Sequence, residues 1–122
     1  MNIKEFWQDV LEQNQERLGA YFHKEAIIRW HCSNELFTAQ EYIRANCEYP
    51  SDWKGEIERI NEIGDTVITV TKVYPIDKSC SFHVVSFLKL LNGLIVEMDE
   101  YWSDDGIAPE WRRQMNIGKP IK

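Results

Sequence analysis

The residues that most restrict this chain are Asn92-Gly93, which stand between two long runs of branched and aromatic residues interspersed with polar ones. A two-residue hairpin turn needs left-handed backbone at its central positions. Asn-Gly supplies it, so residues 81–91 and 94–102 are expected to form an antiparallel hairpin. Upstream, Gly64-Asp65 joins residues 55–63 to 66–74, and Pro75-Ile76-Asp77-Lys78 makes a looser connection between the two hairpins. The second half of the chain therefore reads as an antiparallel meander. Strands of about 8 to 9 residues twist and curl, and a curled sheet has a concave face.

The first half supplies what covers that face. Ile3, Phe6, Trp7, Val10, Leu11, Leu18, Tyr21 and Phe22 recur at helical spacing, and Asn2 stands at capping-box spacing from Glu5. These residues predict one long amphipathic helix, loosened near Gly19. Thr38 with Glu41 marks a second helix start, with Phe37 placed to staple onto Tyr42. That helix is expected to reach about Glu48 and to stop before Tyr49-Pro50. Between the helices, residues 26–31 read as a strand, the only one expected before residue 50. Pro109 opens a short helical turn whose Arg112 and Arg113 are expected to hold the tail to the acidic last strand. The class is α+β, with helices packed on one face of the sheet.

A chain of 122 residues has room for one domain, spanning 1–122. Its net charge of −6 repels a phosphate backbone, which argues against nucleic acid as a partner. No apolar run approaches the roughly 18 to 20 residues of a membrane helix, so no membrane is expected. No basic region followed by an apolar stretch opens the chain, so a cytoplasmic protein is expected. Cys32, Cys47 and Cys80 are odd in number and form no Cys-x-x-Cys pair; they are expected to be buried thiols. Asp104-Asp105-Gly106 lacks the alternating acids of a calcium loop and reads as a turn.

The order of long helix, short strand, capped helix and curled meander resembles the nuclear transport factor 2-like superfamily, in particular its SnoaL-like, polyketide-cyclase-like branch. The residues that carry the resemblance are Phe22 through His31, Phe37 through Tyr42, Asn92 through Glu97, and Glu100-Tyr101-Trp102. It implies a cone-shaped, cystatin-like fold in which a long N-terminal helix and a second helix pack on a strongly curved antiparallel sheet. It also implies a homodimer formed through the sheet, and a ligand pocket whose acid or base stands on the pocket-facing side. The superfamily includes isomerases, cyclases, hydrolases, ligand carriers and non-catalytic partners, so the resemblance speaks to fold more than to function.

His83, Asp99 and Glu100 are the candidate acid–base residues. Period-2 alternation puts Ile95, Glu97, Asp99 and Tyr101 on one face of the last strand and Val96, Met98, Glu100 and Trp102 on the other. It does not say which face is concave. A His83–Asp99 pair in an apolar cavity would favour both charged forms, whereas a solitary buried carboxyl would have its pKa raised. Around this centre, Trp30, His31, Glu35, Trp53, Tyr101 and Trp102 are candidate ligand contacts, their flat rings suiting a small hydrophobic or aromatic ligand. Phe6, Trp7, Phe22 and Phe87 are expected in the core. No metal site is expected, because His31 and Cys32 point to opposite faces of a strand and no other ligand spacing repeats. By resemblance, any reaction would be a cofactor-free isomerisation, cyclisation or hydrolysis; the alternative is a non-catalytic homodimeric module.

Overall fold

A computed structural model of the chain describes residues 1–121. Helix α1 (Ile3–Leu11), the single turn α2 (Gln15–Leu18) and a 3-10 turn (Gly19–Tyr21) lead into strands β1 (Phe22–Trp30) and β2 (Glu35–Thr38). Helix α3 (Ala39–Cys47) follows, then β3 (Trp53–Ile63), β4 (Thr66–Pro75), β5 (Phe82–Leu91), β6 (Leu94–Asp104) and the turn α4 (Glu110–Arg113). The strands form one sheet in the order β2-β1-β6-β5-β4-β3. None of the described helices is long and apolar enough to cross a membrane.

The meander β3 to β6 forms as the turns require. Asn92 and Gly93 hold φ of +52° and +78°, the left-handed pair that closes the β5–β6 hairpin, and Gly64 turns the β3–β4 hairpin at +59°. The sheet is mixed, however, because β1 lies parallel to β6, with Ile28 opposite Met98 and Trp30 opposite Glu100. The antiparallel sheet expected from the sequence is thus extended by a parallel strand, the first of the chain, beside the last. A second strand before residue 50 was also missed: β2 pairs back on β1 across the turn at residues 31–34.

The long N-terminal helix is broken earlier than Gly19. Gln13 adopts φ +54°, and Asn14 restarts the chain as the cap of α2, its side chain accepting from the Arg17 amide at 3.2 Å. Gln13 is held there by donating from Nε2 to the carbonyls of Asn46 and Tyr49 at 2.9 and 2.7 Å. Gly19 stays in the ordinary helical region, with φ −58°. The α3 start is a complete capping box between Thr38 and Glu41.

The helices cover the concave face and bury Phe6, Trp7, Leu18, Phe22, Tyr42 and Ile43 against Ile28, Val84, Leu88, Ile95 and Met98 of the sheet. Phe6 sits at the centre, edge-to-face with Trp7, Tyr21 and Phe22 at 5.3 to 6.0 Å, pairs that each add about 0.5–1.5 kcal/mol beyond burial. Phe87 does not join them. It lies on the outer face, 38% exposed, beside Tyr101. The cysteines also differ from expectation, since Cys32 and Cys80 are exposed and Cys47 is half-buried. Arg113 donates to the Ala108 carbonyl and Arg112 stacks on Trp111, so both are engaged within the tail rather than with β6.

Candidate functional site

One polar row crosses the concave face. Thr69, Ser86, Glu100 and Trp30 stand opposite one another on β4, β5, β6 and β1. Trp7 of α1 donates from Nε1 to Thr69 Oγ1 at 3.1 Å, Ser86 Oγ meets Glu100 Oε2 at 2.5 Å, and Trp30 Nε1 donates to Glu100 Oε1 at 3.0 Å. Glu100 is fully buried. Burial pushes its carboxyl above the ordinary carboxylate range, and the hydrogen bonds from Ser86 and Trp30, with the nearby indole N–H of Trp102, offset only part of that rise. Tyr42 of α3 is also buried, and desolvation with the nearby Glu100 charge raises its phenol well above the usual value.

Beyond this row, toward the open end of the sheet, lies a cavity of about 350 Å³, within the size range of small-ligand sites. Its wall is an unbroken aromatic collar. Tyr49 meets Trp53 at 5.1 Å, Trp53 meets Phe82 at 6.0 Å, Phe82 meets Trp102 at 6.4 Å and Trp102 meets Trp30 at 6.3 Å, with planes 53–77° apart. All five rings line the cavity, as does Trp7, and Val10, Leu11 and Val73 complete the apolar surface. Polar groups at the cavity come from Cys32, Ser33, Glu35, Asn46 and Asp104. Glu100 itself is not on the cavity surface; Trp30 and Trp102 stand in front of it.

The structure thus separates the sequence-predicted residues into two faces. Trp30, Glu35, Trp53 and Trp102 line the cavity, and Glu100 lies behind them. His31 and Tyr101 lie on the outer face, stacked at 4.5 Å with planes 7° apart. His83 and Asp99 are also on the outer face, and they do not meet. His83 is opposite Ser103 and Asp99 opposite Phe87, an offset of roughly 13 Å along the hairpin. Asp99 instead accepts from Arg29 at 3.3 Å and meets His31 Nε2 at 2.7 Å. His83 contacts Asp105 through Nδ1 and Glu58 through Nε2 at 3.1 Å. The Asp105 contact is the largest cause that raises the His83 pKa. Burial raises the Asp105 carboxyl, but Ser81 and His83 outweigh it and leave its pKa lowered.

Alternation along β6 holds from Glu97 onward, and only the start of the strand is shifted, by a bulge. The β5–β6 register jumps between Lys89, opposite Glu97, and Leu90, opposite Ile95, which leaves Val96 without a partner. Ile95 therefore points inward with Met98, Glu100 and Trp102, instead of outward with Asp99. The cavity residues Trp7, Phe82, Asn46 and Asp104 were absent from the sequence-predicted site. Phe82 and Asp104 were reachable in principle, since they face each other on the hairpin two residues on from Val84 and Trp102. Among the described residues, no three His, Cys, Asp or Glu side chains gather where they could hold a metal ion.

No protein-family model matches the chain, and no curated protein matches it. Solved structures do. A protein of Kribbella flavida, provisionally described as a ketosteroid isomerase, superimposes with a TM-score of 0.81 at 19% identity over 98% of this chain and 88% of its own. A nuclear transport factor 2-like protein of unknown function from Burkholderia xenovorans gives 0.77 at 22% identity, over 97% and 91% of the two chains. A Shewanella putrefaciens protein, provisionally described as a SnoaL-like polyketide cyclase, gives 0.67 at 13% identity over 92% and 79%. With the helices on the concave side of a curved six-stranded sheet, these matches identify the fold as that of the nuclear transport factor 2-like superfamily.

Proposed function

We propose that the chain takes up a small, flat, largely apolar molecule in the aromatic collar. The observation that carries this reading is the open cavity of about 350 Å³ walled by Trp30, Trp53, Phe82, Trp102 and Tyr49. A vestigial pocket would be expected to be filled by those rings. In this reading Trp30, Trp53 and Trp102 stack on the ligand, and Glu35 stands at the mouth. Glu100 is the acid–base residue best supported among His83, Asp99 and Glu100, because its burial beside two indoles favours a carboxyl that holds its proton. It is a positioning residue first, since its carboxyl fixes the Trp30 ring that forms the wall. A proton transfer to ligand would require Trp30 or Trp102 to move aside.

The proposal includes two further points. The chain works in the cytoplasm, where its three free cysteines persist as thiols. It also pairs with a second copy through the outer face of the sheet, where Ile68, Val70, Val85, Phe87 and Tyr101 form an apolar centre that the helices leave uncovered. A non-catalytic module that uses only this face is the second reading.

Binding is tested by titrating 2-naphthol and following tryptophan fluorescence, which the collar must report because its indoles touch the ligand. Saturable quenching in the wild type, weakened at least fivefold in Trp53→Ala, supports the reading. Quenching that is linear in concentration and indifferent to Trp53→Ala overturns it.

A further inference from the structure

The collar is unusual in what it does not offer. Trp7 Nε1 is spent on Thr69 and Trp30 Nε1 on Glu100. Trp102 Nε1 is buried toward the same carboxyl without completing a hydrogen bond. Three indole N–H groups therefore point into the sheet wall, and those rings give the cavity π surface in place of donors. Asn46 gives one amide N–H to the Val10 carbonyl at 2.9 Å and keeps its second N–H and its Oδ1.

The acceptors differ from these donors in carrying charge. Glu35 and Asp104 both line the cavity and are exposed: Glu35, on β2, is opposite Trp30, and Asp104, on β6, is opposite Phe82. No ion pair engages either carboxylate among the described residues. Among the described residues, no Lys, Arg or His side chain lines the cavity. The remaining side-chain donors there, apart from the Cys32 thiol, are Trp53 Nε1, the second amide N–H of Asn46 and the hydroxyls of Ser33 and Tyr49, on residues that water already reaches. A neutral ligand with an acceptor group would find few buried partners. An anion would meet two unpaired carboxylates. A cation would meet π-faces, which attract it electrostatically, and carboxylates that lack a counter-charge.

We propose that the ligand of this collar is an organic cation, an ammonium compound whose apolar body lies against the indoles and whose charge is shared between their faces and the carboxylates of Glu35 and Asp104. This proposal rests on the collar being a ligand site and adds the charge of what fills it.

The test compares two molecules of the same shape, 4-(trimethylammoniomethyl)phenol and its neutral carbon isostere 4-neopentylphenol. Calorimetric titration of the intact chain at 0.15 M salt is expected to give at least tenfold tighter binding for the cation. That advantage is expected to fall at least threefold in the double variant Glu35→Gln, Asp104→Asn, with the affinity for 4-neopentylphenol unchanged. Trp53→Ala is expected to weaken both compounds. If the neutral isostere binds as well as the cation, the charge proposal fails while the ligand site stands. If neither binds, both fail. A cation that binds equally to Trp53→Ala and is released by salt is held by the net charge of −6 and not by the collar, which also overturns the proposal.

Discussion

Trp30 and Glu100 face each other across the parallel β1–β6 ladder, and the indole N–H of Trp30 donates to Glu100 Oε1 at 3.0 Å. This bond ties the buried acid to the cavity wall, so a change to the carboxyl reaches the collar without touching the ligand. Ser86 closes the other oxygen at 2.5 Å, and the group has no contact with water. An isolated carboxylate in such a place is costly, which is why burial favours the protonated form.

The pH dependence of stability follows from that shift. Because the folded Glu100 pKa is raised above its unfolded value, the folded state binds more protons between the two. The contribution is fully present below the unfolded pKa and is lost as pH rises through the folded one, at no more than about 1.4 kcal/mol per pH unit. Glu100→Gln keeps an acceptor for Trp30 and a donor for Ser86 but does not titrate. Urea unfolding from pH 4 to 8 is expected to show the wild type losing stability relative to Glu100→Gln as pH rises. Parallel profiles for the two proteins would show that Glu100 carries no such shift.

Glu100→Ala is a harsher change at the same place. It leaves Trp30 Nε1 and Ser86 Oγ unpaired in a buried cavity and is expected to cost about 2–4 kcal/mol at pH 4, and less as pH rises, because alanine, like glutamine, does not titrate. Chemical denaturation of Glu100→Ala and Glu100→Gln in parallel separates lost hydrogen bonds from lost charge.

Gly55 is fixed by close approach. A Cβ there would lie 2.8 Å from the Lys72 carbonyl oxygen of the paired strand and 3.0 Å from both methyls of Leu11. Leu11 lines the cavity, so Gly55→Ala pushes the α1–β3 contact apart and drives Leu11 toward the ligand space. The expected loss is about 1–3 kcal/mol, together with weaker binding of any collar ligand. Unchanged thermal stability in Gly55→Ala would show that β3 moves freely against α1.

Much of this arrangement can be read from the chain, and the failures have a common cause. Asn92-Gly93, Gly64 and the Thr38–Glu41 box are local signals whose effect lies within a few residues, and each formed where the sequence put it. The β1–β6 parallel pairing and the short β2 depend on contacts between distant segments, which no local periodicity encodes. Alternation put Asp99 and Glu100 on opposite faces of β6, as they are, but which face the helices cover depends on packing between distant segments; the bulge at Val96 shifted only Ile95. The α1 break at Gln13 was legible in Asn14, a good helix cap three residues before Arg17, but the continuing apolar spacing to Leu18 masked it.

Trp7 links helix and sheet through one hydrogen bond. Its Nε1 donates to Thr69 Oγ1 at 3.1 Å, and both residues are buried. Trp7→Phe keeps an aromatic ring but strands the Thr69 hydroxyl beside Ser86, for an expected loss of about 1–3 kcal/mol. Adding Thr69→Val should recover part of that loss, because neither partner is then left unpaired. A double variant less stable than Trp7→Phe alone would assign the cost to packing instead.

The proposed pairing of two copies through the outer face rests on an apolar centre there. Phe87 stands between Ile68 and Asp99, and Val85 between Val70 and Tyr101, so an apolar centre crosses β4, β5 and β6. Around it lie the Arg29–Glu97–Asp99–His31 group on one side and His83 with Glu58 and Asp105 on the other. An apolar centre with a charged rim is the pattern of specific association. Because Phe87 is 38% exposed within one copy, Phe87→Glu costs a single chain little, but in a symmetric pair it sets two new carboxylates in the desolvated centre beside Asp99. Light scattering is expected to report about twice 14.5 kDa for the wild type and the single-chain mass for Phe87→Glu, with unchanged circular dichroism. A wild type that stays at the single-chain mass at 100 µM, on the order of the concentrations used for such measurements, would remove the dimer and leave the apolar centre to another partner.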